Sequence, residues 1–155
     1  MALNILQVCS KAFWPPKDGG AMAMLSMTQG FYNAGHKVTV LMMNTPKHYL
    51  TLRTLPEHIQ EMANFYAIDV DTRIRPLDIL ANIVFSKDQS YHVQRFTSST
   101  FRAELERLLQ LNKYDVIQLE SLFTTQYVNS IRAHSDALVI YRAHNVEHEI
   151  WERRA

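Results

Sequence analysis

Cysteine is nearly absent: Cys9 is the only one among 155 residues, so no disulfide can form within the chain. A disulfide-stapled secreted scaffold is thereby excluded, and a lone thiol in the apolar run from Ile5 to Cys9 suits a reducing compartment. Excess charge of either sign is missing too. Sixteen basic side chains face 15 acidic ones, for a formal net charge of +1. A partner selected by bulk electrostatics, such as duplex nucleic acid, is not expected. Arg95, Arg102 and Arg107 do gather, but Glu104 and Glu106 are interleaved with them, which reads as a solvated helix face. Long apolar runs are lacking, and none approaches the roughly 18 residues that a membrane helix needs. The first residues have neither the basic start nor the small-residue cleavage site of a signal peptide. A cytoplasmic domain is the expectation. No internal repeat, low-complexity segment or linker is present.

What remains is an ordinary globular composition, 47% hydrophobic and 20% charged, at a length that fits one domain with a real core. Leu3–Val8 reads as a short strand buried on both faces. A loop from Ser10 to Gly20 follows, with Pro15-Pro16 and Asp18-Gly19-Gly20. From Ala21 the period becomes helical (Met24, Met27, Thr28, Phe31, Tyr32), and Gly35 stands where the helix ends. Lys37–Met43 is β-branched and apolar, a second strand. Strand, helix, strand in so short a span is a βαβ unit, which implies a right-handed crossover and a parallel sheet.

The pattern continues with a short helix over Pro56–Asn64, a third strand over Phe65–Ile74 and an apolar helix over Pro76–Phe85. A longer helix is expected from Ser98 to Leu111, with Phe101, Leu105, Leu108 and Leu109 on one face. Asp115–Leu119 is a fourth strand, Leu122–His134 another helix, Ala137–Tyr141 a fifth strand, and Val146–Arg154 a final helix. The fold class is α/β, a Rossmann-like doubly wound sheet, mainly parallel, with helices on both faces.

In such sheets ligands bind beyond the carboxyl ends of the strands. The first such loop lacks a G-x-G-x-x-G turn and instead carries the Gly19-Gly20 pair. Glycines at a helix start let a ligand approach the backbone, and the free N–H groups suit a phosphate or carboxylate. The plainer reading is a turn into the helix with Asp18 as cap, and both stay open at this point.

Strand one, the Pro15-Pro16-x-x-Gly19-Gly20 loop, and Gly35-His36-Lys37-Val38-Thr39-Val40 together resemble the opening of GT-B glycosyltransferases. The likeness is greatest to their retaining, nucleotide-sugar-dependent members (family four, "group 1"). The resemblance implies transfer of a hexose-like unit from a nucleoside diphosphate sugar to an acceptor hydroxyl, with a sugar or a lipid-linked sugar as acceptor. It also implies that the nucleotide sits mainly on a C-terminal domain, with an Arg/Lys pair and an E-x₇-E motif, which these residues do not contain. Residues 1–155 would then be one acceptor-side domain, incomplete alone. No further cofactor is implied, and metal dependence is not expected.

After strand five comes Tyr141-Arg142-Ala143-His144-Asn145-Val146-Glu147-His148, dense in polar chemistry. By the resemblance His144 sits at the cleft mouth and orients the donor sugar, while Asn145 and Glu147 brace the loop or touch the sugars. The plain alternative for His144 is a loop-closing bond to backbone. His144-x-x-Glu147-His148 also matches an inverted zinc-peptidase pattern. A catalytic zinc needs a third protein ligand, however, and only seven residues remain after His148. Glu120, ending strand four, is open to two roles: a ligand of the acceptor hydroxyl, or a partner of Arg142. By the resemblance, relatives often carry a histidine or another polar residue near this position for acceptor contact, and Gln118 and Glu120 stand there instead. Phe13, Trp14, Pro15 and Pro16 offer a stacking platform for a sugar, but packing over the sheet edge or against a second domain is the preferred reading. The helix over Pro76–Phe85 is core by default and, as second choice, a wall facing a membrane or lipid acceptor, with peripheral membrane contact. A stand-alone Rossmann-like binding module is the alternative to the transferase.

Overall fold

The computed structural model describes residues 1–73 and 95–144. The helices expected at Pro76–Phe85 and Val146–Arg154, together with Asn145, Glu147 and His148, lie outside the described residues.

Five strands form one all-parallel sheet: β1 (Asn4–Cys9), β2 (Lys37–Asn44), β3 (Asn64–Asp69), β4 (Val116–Glu120) and β5 (Leu138–Arg142), in the order β3-β2-β1-β4-β5. Among the described residues the helices are α1 (Gly19–Asn33), α2 (Glu57–Gln60), α3 (Ser99–Leu111) and α4 (Val128–His134). Side chains alternate across the strands, so each central strand feeds two cores. Leu6, Val8, Leu41, Met43, Ile117 and Leu119 meet Phe101, Leu105 and Leu108 of α3 and Ile131 of α4. Val38, Val40 and Met42 face the other way, toward Ala21 and Met24 of α1 and Ile59 of α2. The sheet is therefore doubly wound, and its strand order reverses between β1 and β4, where ligands of such folds bind.

The Gly35-His36 pair has a local physical cause. Gly35 takes φ +78°, its N–H donates to Tyr32 O and the His36 N–H to Phe31 O, which together close the helix in a Schellman motif. His36 Nδ1 then accepts from Leu3 N, and Lys37 N donates to Leu3 O at the start of the β1–β2 pairing.

Several expected boundaries move. α2 occupies only Glu57–Gln60, preceded by a 3₁₀ turn at Leu52–Thr54. β3 stops at Asp69; Asp71 Oδ1 then accepts from Arg73 N, a side-chain turn that competes with the ladder. The single helix expected over Leu122–His134 is a 3₁₀ turn, Leu122–Tyr127, followed by α4. Ser121 enters it at φ +83°, and the side chains of Thr124, Thr125 and Gln126 donate to carbonyls three residues back, which favours the tighter winding. Phe13 is no platform: it is fully buried, edge-on to Phe65 of the outermost strand, while Trp14 lies against His58. Among the described residues no helix is long and apolar enough to cross a membrane.

Leu105 lies at 0% exposure in the α3 core and Leu111, at the end of the same helix, at 67%. Leu105→Ala is expected to lower the urea-unfolding free energy by about 2–5 kcal/mol, and Leu111→Ala by about 0.5 kcal/mol or less. Equal losses would contradict this packing.

Candidate functional site

The loops at the carboxyl edge of the sheet enclose a cleft of about 820 Å³. Every strand contributes to its wall: Ser10 and Lys11 after β1, Thr45–His48 after β2, Thr72 and Arg73 after β3, Ser121 and Phe123 after β4, and Arg142–His144 from β5.

Beside it lies a fully buried carboxylate, Glu120, the last residue of β4. Its Oε1 accepts from Gln7 Nε2 (2.8 Å) and Gln118 Nε2 (2.6 Å). Its Oε2 meets His144 Nε2 at 2.6 Å and Arg142 Nη1 at 3.3 Å. Gln7 and Gln118 are register partners on adjacent strands, and Cys9 pairs with Glu120, so the polar groups fall on one face, under α1. Gln7 also donates to Met24 O and accepts from Thr28 Oγ1, and Arg142 Nη1 donates to Ala23 O. A carboxylate out of water costs several kcal/mol unless paired and hydrogen-bonded, and here donors from β1, β4, β5 and the residue after next meet it. Since a carboxylate offers only acceptors, the Nε2 of His144 carries the proton, which leaves Nδ1 as the acceptor of the neutral ring. The Cys9 thiol is pushed well above its usual range by burial, with the Glu120 charge adding to it and Arg142 opposing. It stays protonated and is no nucleophile.

The loop entering α1 holds a second ion pair. Lys11 Nζ lies 2.6 Å and 2.7 Å from the two Asp18 oxygens, and Asp18 Oδ1 also caps Ala21 N at 2.8 Å. The Lys11 hydrogen bond is the main cause holding the Asp18 carboxyl below its usual value. Gly19 and Gly20 form the first turn of α1, so the helix begins two residues earlier than the period suggested. A Cβ on Gly20 would come within 3.3 Å of both Asp18 Oδ1 and Lys11 Nζ, whereas Gly19 faces open space. His48 Nε2 is 3.9 Å from Asp18 Oδ2. Burial chiefly lowers its pKa, Lys11, Lys47 and Lys17 lower it further, and Asp18 opposes them.

The fold thus brings His144, Gly19 and Gly20 to one cleft, with Glu120 behind His144. Glu120 pairs with Arg142, and its side chain is buried. The zinc pattern finds its first histidine already engaged at Nε2. Among the described residues no group of three or more His, Cys, Asp or Glu side chains is arranged to hold a metal. Arg107 does pair with Glu104 on α3, but Arg95 stands apart from that helix face and lines the cleft. Sequence reasoning missed Gln7, Lys11, Lys47, His48 and Arg95. Gln7 was discoverable as an amide in an otherwise apolar buried strand, and Lys47-His48 as the loop at the carboxyl end of β2.

No protein-family model matches the chain, and no curated protein matches it. Among solved structures it is similar to that of Phytolacca americana UGT2 complexed with UDP-2-fluoro-glucose and pterostilbene. The TM-score is 0.52 at 14% identity, over 91% of this chain and 31% of that one. The fold is Rossmann-like α/β. At that identity the likeness is one of fold, and the chain spans under a third of its neighbour's length.

Because the folded Asp18 carboxyl titrates below its ordinary 3.8, its pairing stabilises the protein above that value and is lost as pH falls through the folded one. Wild type is expected to exceed Asp18→Asn in stability at neutral pH, with the gap closing below about pH 4. Urea midpoints across pH check this, and a gap that persists unchanged into strong acid contradicts it.

Proposed function

We propose that the chain is the N-terminal, acceptor-side domain of a nucleotide-sugar glycosyltransferase, moving a sugar with retention from a nucleoside diphosphate sugar to an acceptor hydroxyl. The observation that carries this reading is the Glu120–His144 pair at the wall of a cleft located where the strand order reverses. Support comes from the likeness in fold to a protein solved with a UDP-sugar analogue and a second small molecule bound.

In this reading His144 is a binding residue of the donor sugar. Glu120 fixes the proton on Nε2, so Nδ1 accepts a hydrogen bond from a sugar hydroxyl and holds the anomeric carbon in place. Arg142 neutralises Glu120 and, through Ala23 O, ties β5 to the first turns of α1. The Gly19 and Gly20 amides head that helix, outside its internal ladder, and receive a diphosphate oxygen at the positive end of the helix dipole. Asn145 and Glu147, next along the chain, would brace the loop or touch the sugars. Most of the nucleotide is held by a second, C-terminal domain, so this chain alone binds donor weakly and does not turn it over. The acceptor is a sugar or a lipid-linked sugar.

Titration with UDP, GDP and ADP, followed by backbone amide resonances, tests the reading. At millimolar concentration one of them is expected to move Gly19, Gly20 and His144. Added UDP-glucose should yield no transferred sugar, and His144→Ala should weaken UDP-glucose binding about tenfold with the fold retained. Nucleotides that leave those three residues unmoved, or turnover by this chain, would overturn it.

A further inference from the structure

We propose that the acceptor bound in this cleft carries an anionic group, a phosphate or a carboxylate, met by Lys47 and Arg95. The word acceptor rests on the glycosyltransferase reading; the anion seat rests on the cleft itself. Among the described residues, five that line the cleft are Lys or Arg (Lys11, Lys47, Arg73, Arg95, Arg142), and the one acid is Asp18. The chain as a whole has a net charge of only +1, so this wall concentrates positive charge far above the average.

Three of the five cations are already matched. Lys11 is held by Asp18, Arg73 by Asp71 and Arg142 by Glu120. Lys47 and Arg95 have no acidic partner among the described residues. Arg95 is the more telling. Its Nε is buried without a hydrogen-bond partner, a donor that protein interiors rarely leave unmet unless a ligand completes it. The guanidinium is not adrift, because it lies 5.3 Å over the Phe96 ring, which stacks on Phe123 at 4.2 Å. Phe96 O accepts from Tyr127 Oη, and that hydroxyl accepts from Ser98 N, so the backbone beside Arg95 is pinned. A fixed guanidinium with an unused donor is the arrangement that recognises phosphate or carboxylate.

His48 supports the same conclusion. Its pKa is lowered first by burial and then by Lys11, Lys47 and Lys17, with Asp18 opposing. An anion bound there reverses the balance and raises the pKa of His48.

The test uses the chain itself with glucose 6-phosphate, glucuronate, neutral glucose and UDP, following amide resonances and the imidazole titration of His48. The two anionic sugars are expected to give saturable shifts at Lys47, His48 and Arg95 and to raise the His48 pKa; glucose is expected to do neither. Lys47→Ala with Arg95→Ala should raise the dissociation constant of glucose 6-phosphate at least about tenfold. Lys47→Glu alone, at an exposed position, should do so without altering the thermal melt. The UDP-induced shifts at Gly19 and Gly20 should persist in these variants. Equal binding of glucose and glucose 6-phosphate, or anionic shifts confined to Gly19 and Gly20, overturns the proposal. If no UDP binds while glucose 6-phosphate still seats on Lys47 and Arg95, the anion site stands and the transferase reading falls. If UDP binds and the anionic sugars do not, the reverse holds.

Discussion

One buried charge organises this domain. Glu120 has no water to solvate it, so its carboxylate must be met by protein donors, and those donors come from widely separated parts of the sequence. Gln7 brings the centre of β1, Gln118 the centre of β4, and Arg142 and His144 the end of β5. Gln7 and Arg142 bond in turn to the Met24 and Ala23 carbonyls, which fixes α1 against the same face. The geometry of the cleft follows from satisfying this one group. Buried ion pairs are often replaceable by apolar side chains without loss of stability, so the value of this carboxylate lies in the positions it ties together.

What that position yields is a histidine with a defined tautomer beside the first turn of a helix. The turn is built with the same economy. Asp18 caps Ala21 and holds Lys11, and Gly20 lacks the Cβ that would crowd them. Gly19 is free of that constraint, so the pair is one structural glycine and one that leaves the backbone open to the cleft. The turn reading is thus visible at Gly20, while Gly19 leaves the space that the proposed ligand approach needs.

Much of the fold was legible because its causes are local. The continuous apolar, β-branched run of Lys37–Asn44, the helical spacing after Gly20, the Ser98 cap of α3 and the left-handed Gly35 each act within a few residues. The winding of 122–134 was not legible, because it depends on Ser121 entering at positive φ and on three side chains turning back to the carbonyls. The site was half legible. His144, Gly19 and Gly20 were expected at strand ends and line the cleft, but the burial of Glu120 depends on Gln7, 113 residues away. Arg95 looked like part of a helix face because Arg102 and Arg107 follow it; the Tyr127 hydroxyl, from a distant turn, places its backbone elsewhere.

The most direct test of this account is the tautomer of His144, read from the side-chain nitrogens by long-range proton–nitrogen correlation. If the Glu120 carboxylate holds the ring, the neutral form carries its proton on Nε2 in wild type, and Glu120→Ala loses that preference. A neutral ring protonated on Nδ1 in wild type would mean that Glu120 does not hold His144, and the organising role given to that charge would fail.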